Sequence, residues 1–291
     1  MLQPEEHPLL VCEPPLNPAA TRERLCDLAF ATFGFQSFYL ANSHQLALYA
    51  AGKTTGTVVE VSAGSSSVAA TYEGYLLHHT VKVGVGGNAL AACLFPALER
   101  AGLPASAFAT ARERQDCALD IVQRLGAVRP TLAPDPDDAC TDAVFRLERG
   151  SAKGVTVAVR GDERIACGEE LFKGPQGLAE ILQASLMATD VDAGEKRDYW
   201  SNIVLSGGVS LLPGLAARLL AEAQEFPGAA RAGSTPGRGV PVKLATAPDP
   251  AFSAVAGGSV LGALSTFGSM WVTKREWEAE GPGIVARKCP V

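Results

Sequence analysis

The run Ser201-Asn202-Ile203-Val204-Leu205-Ser206-Gly207-Gly208 constrains this chain more than any other stretch. Its apolar, β-branched residues read as a buried strand that stops at the glycine pair. Pro213, followed by Leu215, Ala216, Leu219 and Leu220, opens a helix with one apolar face. Strand, glycine turn and helix form a shape that can hold a phosphate or a sugar, because glycine lets backbone amides approach a ligand and a helix start adds unpaired N–H groups. The same pair also serves as a plain turn out of a buried strand, and both readings stand on pattern alone.

At 291 residues and 47% hydrophobic, the chain can bury a sizeable core in one large or two ordinary domains. Net charge is −6 and no Lys/Arg block occurs, so neither a nucleic acid nor an anionic membrane is an expected partner. The seven cysteines are odd in number and include no C-x-x-C pair, which points to reduced thiols in a cytosolic or nuclear compartment and away from zinc. Met1 to Pro8 is acidic rather than basic and then apolar, and no run has the length of a membrane span, so a soluble intracellular protein is expected.

Taken in order, Asn17-Pro18 reads as an N-cap and first helical residue, and Leu25, Leu28, Ala29 and Phe33 share one helical face. A second helix is expected over 42–51, closed by Gly52. Two strands, 57–61 and 68–72, flank a small-residue turn, and 80–85 reads as a third. Asn88 is expected to cap a helix kinked at Pro96, and another helix fits 106–125. Residues 129–142 read as a solvated loop, and 143–147, 155–159 and 164–167 as strands, with Gly161-Asp162 as a turn. A helix over 176–189 precedes the opening motif. After it come a linker at 227–239, a strand at 240–246, a helix over 252–267 and a last short helix through Trp277. Hairpins mixed with strand–helix alternation give an α/β class with mixed sheets.

Several stretches resemble actin and the actin-related proteins, in actin's order. They are His7-Pro8-Leu9-Leu10 with Glu13-Pro14-Pro15-Leu16-Asn17-Pro18, Leu48-Tyr49-Ala50-Ala51-Gly52-Lys53-Thr54-Thr55-Gly56, and Tyr72-Glu73-Gly74-Tyr75. Further on come Ser206-Gly207-Gly208 with Pro213-Gly214, Gly257-Gly258-Ser259-Val260-Leu261, Leu264-Ser265-Thr266-Phe267, Met270-Trp271 and residues 281–289. The resemblance runs nearly from end to end. It implies the fold shared by actins, sugar kinases and the heat-shock 70 ATPase, with the first subdomain incomplete and the second without a counterpart. On that template, residues 1–50 with 253–291 form a remnant of subdomain 1, residues 51–85 with 176–252 a subdomain 3-like unit, and 86–175 a subdomain 4-like unit. The start of the chain is read as a divergent form, a short isoform or an incomplete gene model.

The resemblance also locates a nucleotide site. Its remnant would be Gly64, Gly87, Ser206, Gly207 and Gly208. The family's second phosphate loop corresponds to Glu60-Val61-Ser62-Ala63-Gly64, where Ser62 and Ala63 stand for a glycine and an acid that organises metal-bound water. The glutamine and histidine that position the hydrolytic water correspond to Ser43 and Ser67. Gln45 and His44, one or two positions away on a helix, are expected to point elsewhere, and Glu60 to be a solvated carboxylate. On the adenosine side, Gly87-Asn88-Ala89, Val122-Gln123 and Ala251 replace the expected polar and basic groups. No cofactor or metal is expected, with ATP and Mg²⁺ as the alternative.

The family's partner cleft, by contrast, keeps its residue types at Tyr49, Gly52, Thr54, Gly74, Tyr75, Leu261, Leu264, Thr266 and Met270. This implies an amphipathic partner helix between subdomains 1 and 3. The expected function is that of a cytoplasmic, cytoskeletal or scaffolding protein that binds partners, does not hydrolyse ATP and does not form filaments. The alternatives are an ATP-binding or ATP-hydrolysing actin-related protein with a longer isoform, and a nuclear actin-related subunit of a chromatin-remodelling complex.

Overall fold

The computed structural model describes residues 3–131, 140–189, 193–230, 239–247 and 249–290. Strand β1 (Pro8–Glu13) leads through helix α1 (Ala19–Asp27) and a widened turn at Leu28–Thr32 to β2 (Ser37–Asn42), which runs straight into α2 (Ser43–Ala50). A hairpin follows, β3 (Gly56–Val61) and β4 (Ser65–Tyr72), then the short β5 (Tyr75–Leu76) and β6 (Lys82–Val85). Helices α3 (Gly87–Cys93), α4 (Phe95–Arg100) and α5 (Ala111–Leu125) precede β7 (Ala143–Arg146), β8 (Thr156–Val159) and α6 (Gly161–Glu169). The chain continues through α7 (Leu178–Ala188), α8 (Ala193–Ser201), β9 (Ile203–Ser206), α9 (Leu215–Gln224) and β10 (Leu244–Thr246). Helix α10 (Ser253–Gly262), β11 (Val272–Thr273), α11 (Lys274–Glu280) and α12 (Gly283–Lys288) complete it.

The strands form mixed sheets. β1 and β11 flank β2, the first parallel and the second antiparallel. The largest sheet has the order β10-β9-β3-β4-β5, with β6 also paired to β4; β10, β9 and β3 are parallel, and β3 and β4 antiparallel. A two-stranded ladder, β7 with β8, stands apart. Residues of β9 are buried throughout and those of β3 nearly so, as strands covered on both faces must be.

Two cores result. The smaller packs Cys26, Phe30, Phe38, Leu40, Leu46, Phe267, Val272, Ile284 and Cys289 around β2. The larger gathers Val59, Val61, Val68, Leu90, Ile121, Leu178, Leu182, Ile203, Leu205 and Leu215 around the big sheet. Under the smaller sheet lies a buried ion pair, Arg22 Nε to Glu13 at 3.0 Å, and Arg22 Nη2 also donates to the Cys289 carbonyl at 2.5 Å. Helices α2 and α10 lie so close that a Cβ on Gly257 would sit 1.8 Å from the Leu46 carbonyl oxygen.

Local chemistry explains where the elements differ from the expected ones. Residues 164–167 are helical, inside α6, because the Glu163 carboxylate accepts the Arg160 N–H at 3.1 Å and two acids occupy the first turn. Pro96 does not kink one helix. It falls in the first turn of α4, where its missing N–H costs nothing. Helix α5 begins at Ala111 because Thr110 Oγ1 accepts the Glu113 N–H at 3.1 Å. Asn17 caps nothing, since its Nδ2 donates to Glu13 at 2.8 Å and Pro18 takes the cap position. The C-terminal helix stops at Gly262, a 3₁₀ turn spans Ser265–Ser269, and α12 follows the positive-φ Gly281. Parts of the expected acidic loop (132–139) and linker (231–238) lie outside the described residues.

Candidate functional site

The three loops that carry the expected nucleotide glycines do converge. Gly207 has φ +89°, and a Cβ there would lie 2.3 Å from the Val61 carbonyl oxygen, so only glycine fits. Gly87 donates its N–H to the Ser62 carbonyl at 3.0 Å and packs against Ala63 and Val209. Gly64 is exposed, with open space around it. The helix expected from Pro213 is present: a 3₁₀ turn, Gly208–Leu211, follows the glycine pair, and α9 starts at Leu215 after the left-handed Gly214. Ser206 is committed elsewhere, its Oγ 2.6 Å from Ser253 Oγ, which in turn donates to the Pro250 carbonyl at 3.0 Å.

Register places Ser206, Glu60 and Ser67 side by side across β9, β3 and β4, on one face of the sheet. From the opposite side, the first residues of α2 reach into the same row. Ser43 Oγ donates to Glu60 Oε2 at 2.5 Å, His44 Nδ1 lies 3.3 Å from Ser43 Oγ and 3.5 Å from Glu60 Oε2, and His44 Nε2 lies 3.3 Å from Ser67 Oγ. His44 is fully buried, with its helix start capped by Asn42 Oδ1 at 2.9 Å from the His44 N–H. The expectations that His44 points elsewhere and that Glu60 is merely solvated are therefore overturned. A helix's first turn projects side chains back toward the preceding strand, so a shift of one position keeps His44 within reach. Gln45 does point elsewhere, and its amide donates to the Gly74 carbonyl.

The expected partner cleft divides into two adjoining grooves that share Tyr49 and Leu261. One, of about 330 Å³, is lined by Tyr49, Gly52, Thr54, Leu261 and Leu264, together with Val260 and Lys53. The other, of about 130 Å³, brings Gly74, Tyr75 and Met270 to Tyr49 and Leu261. Gly52 and Gly74 both have positive φ, and a Cβ on Gly74 would lie 2.6 Å from the Tyr49 hydroxyl. Burial pushes the Tyr49 phenol up, and Tyr75 adds to the effect. Thr266 lines neither groove; it is exposed on the 3₁₀ turn, where its carbonyl accepts from Ser269 Oγ. Val260 and Lys53 join the lining of the larger groove without having been expected in it; Val260 precedes Leu261 on α10, and adjacency to an expected lining residue is the signal that the sequence carries.

A family model described as Actin matches residues 1–123 and 142–290. The chain belongs to the actin family. With the actin family come ATP and Mg²⁺, and the groups drawn together here do not fit them. They are hydroxyls, one imidazole and one carboxylate, and the carboxylate would repel a phosphate rather than hold it. No group of three or more His, Cys, Asp or Glu able to hold a metal occurs among the described residues. No described helix is long and apolar enough to cross a membrane.

Burial holds the His44 imidazole below its ordinary range, against the opposing pull of the Glu60 charge. The folded state therefore binds this proton less readily than the unfolded chain. His44's contribution to stability is intact above about pH 6.5 and falls away below it, at up to about 1.4 kcal/mol per pH unit. Urea midpoints between pH 7 and 5 should decline more steeply in the wild type than in His44→Gln; parallel declines would assign the acid sensitivity to other groups.

Proposed function

We propose that this actin-family chain is a cytoplasmic, cytoskeletal or scaffolding protein that binds partner proteins in the cleft beside Tyr49, with ATP binding weak or lost and no ATP hydrolysis. The observation that carries the reading is an open apolar groove, set against a nucleotide turn whose Ser43, Glu60 and Ser206 side chains are already hydrogen-bonded within the protein. Tyr75 is 63% exposed, Leu264 51% and Met270 36%, and the larger groove runs along α10 past Val260 and Leu261. Exposed aromatic and methionine surface suits the apolar face of an amphipathic helix, whose anchors recur at three and four residues. At the nucleotide turn, the Ser43–Glu60 and Ser206–Ser253 hydrogen bonds leave none of these side chains free to bind a phosphate.

Titration of the full chain with a fluorescent amphipathic helical peptide tests the cleft. Leu264→Asp should weaken binding at least tenfold while leaving the melting temperature unchanged, because the side chain is half exposed. Equal affinity in the variant would remove the cleft from the proposal. Calorimetric titration with Mg²⁺ and ATP tests the other half, and micromolar binding would overturn it. That result would favour a second reading, an ATP-binding actin-related protein, for which the intact turn at Gly207 is the supporting observation.

A further inference from the structure

We infer that Ser67 is an activated nucleophile that accepts the acyl group of a small ester, with His44 as its base. The argument follows the hydrogens. Ser43 has one hydroxyl proton, and at 2.5 Å from Glu60 Oε2 it is committed to that oxygen, because a carboxylate only accepts. Ser43 Oγ can then meet His44 Nδ1, 3.3 Å away, only as an acceptor, which places the imidazole proton on Nδ1. His44 Nε2 is left bare, and it faces Ser67 Oγ at 3.3 Å. The chain of hydrogen bonds thus has one direction, from Ser67 through His44 and Ser43 to Glu60. A hydroxyl whose proton points at a neutral imidazole held by a carboxylate is the arrangement that nucleophilic catalysis requires, and such contacts are commonly loose before a substrate binds.

Access limits the substrate. Ser67 is 9% exposed and lies in the sheet row beside the part-exposed Glu60, below the exposed loop residues Ala63, Gly64 and Ser65. That near-closure restricts the acyl group to a small one on a good leaving group. In the first step Ser67 Oγ bonds to the ester carbonyl carbon, its proton passes to His44 Nε2, and the ester C–O bond breaks as the alcohol leaves with that proton. Water then gives a proton to the same nitrogen and its oxygen to the acyl carbon. The Ser67–acyl bond breaks, and Ser67 recovers its proton.

The test is covalent labelling of the full chain with a fluorophosphonate probe, in which the Oγ–P bond forms and fluoride leaves, with the modified residue mapped by peptide mass spectrometry. Ser67 should carry the label, Ser67→Ala should carry none there, and p-nitrophenyl acetate should show a burst only with the wild type. Ser43 and Glu60 are positioning residues. In Glu60→Ala the Ser43 proton is free to turn to His44, so labelling should slow at least tenfold. Because the lost charge also raised the imidazole's proton affinity, the acid limb of the rate profile should move to lower pH. Circular dichroism establishes that each variant is folded. Folded wild type that stays unlabelled at Ser67, or a rate and pH profile untouched by Glu60→Ala, would overturn the inference.

Discussion

Arg22→Ala is expected to destabilise the protein by about 3–5 kcal/mol, the cost of leaving one member of a buried ion pair without its partner. Glu13 is 2% and Arg22 6% exposed, so water cannot replace the lost guanidinium. Three segments depend on it. Glu13 ends β1, Arg22 lies on α1, and the third contact is the carbonyl of Cys289 just beyond α12. Removing the guanidinium leaves a buried carboxylate with Asn17 Nδ2 as its remaining side-chain donor among the described residues, and a buried carbonyl loses a charged donor. The check is a urea midpoint shift at constant slope. Arg22→Met with Glu13→Gln, which removes both charges and keeps the bulk, should recover part of the loss. A single-variant loss below about 1 kcal/mol would mean that the pair behaves like a surface one.

Gly257→Ala is expected to have the next largest effect, about 3 kcal/mol or more, because its methyl group would meet the main chain of Leu46. The Leu46 carbonyl oxygen and carbon would lie 1.8 and 2.5 Å from the new Cβ, and neither can rotate away without α2 and α10 separating. Gly258 next to it supplies the control. A Cβ there meets only the side-chain ends of Leu10 at 3.4 Å and Leu46 at 3.8 Å, so Gly258→Ala should change stability little. Since Tyr49 lies on α2 and Val260 and Leu261 on α10, Gly257→Ala should also widen the groove between them and weaken the helical peptide. Thermal melts of the two variants side by side decide it, and similar melting temperatures would show that the helices are not in close contact.

Much of the fold could be read from short-range chemistry. The helix over 42–51 was legible because Asn42 caps it and Gly52 must be left-handed, and the hairpin of β3 and β4 because β-branched runs flank small residues. What stayed hidden was set by single side chains acting across a few residues. At 160–163 a charged cap turned an apparent strand into α6, and the Thr110 hydroxyl set the start of α5 at Ala111, five residues later than expected. The polar row shows the same limit over a longer range. Ser67 and Glu60 are partners through β-register, but that His44 joins them depends on how α2 enters from another sheet, which no local pattern records. Of the residues expected in the cleft, Leu261 and Leu264 line the larger groove and Leu261 and Met270 the smaller, although α10 ends at Gly262 and the chain beyond it is not a continuous helix. Thr266 belongs to the same stretch yet faces solvent on the 3₁₀ turn Ser265–Ser269.

The division into two cores also distributes the chain's three tryptophans unequally. Trp200 is buried in the larger core, whereas Trp271 stacks edge-on with Phe267 and Tyr39, and Trp277 sits beside Phe30, all in the smaller one. The molecule therefore contains its own optical reporters. Emission from two indoles follows the half that holds β2 and the C-terminal helices, and emission from the third follows the half that holds the big sheet. Replacing Trp200 with phenylalanine leaves a spectrum that sees only the smaller half, so the melting order of the two halves can be read without any added dye.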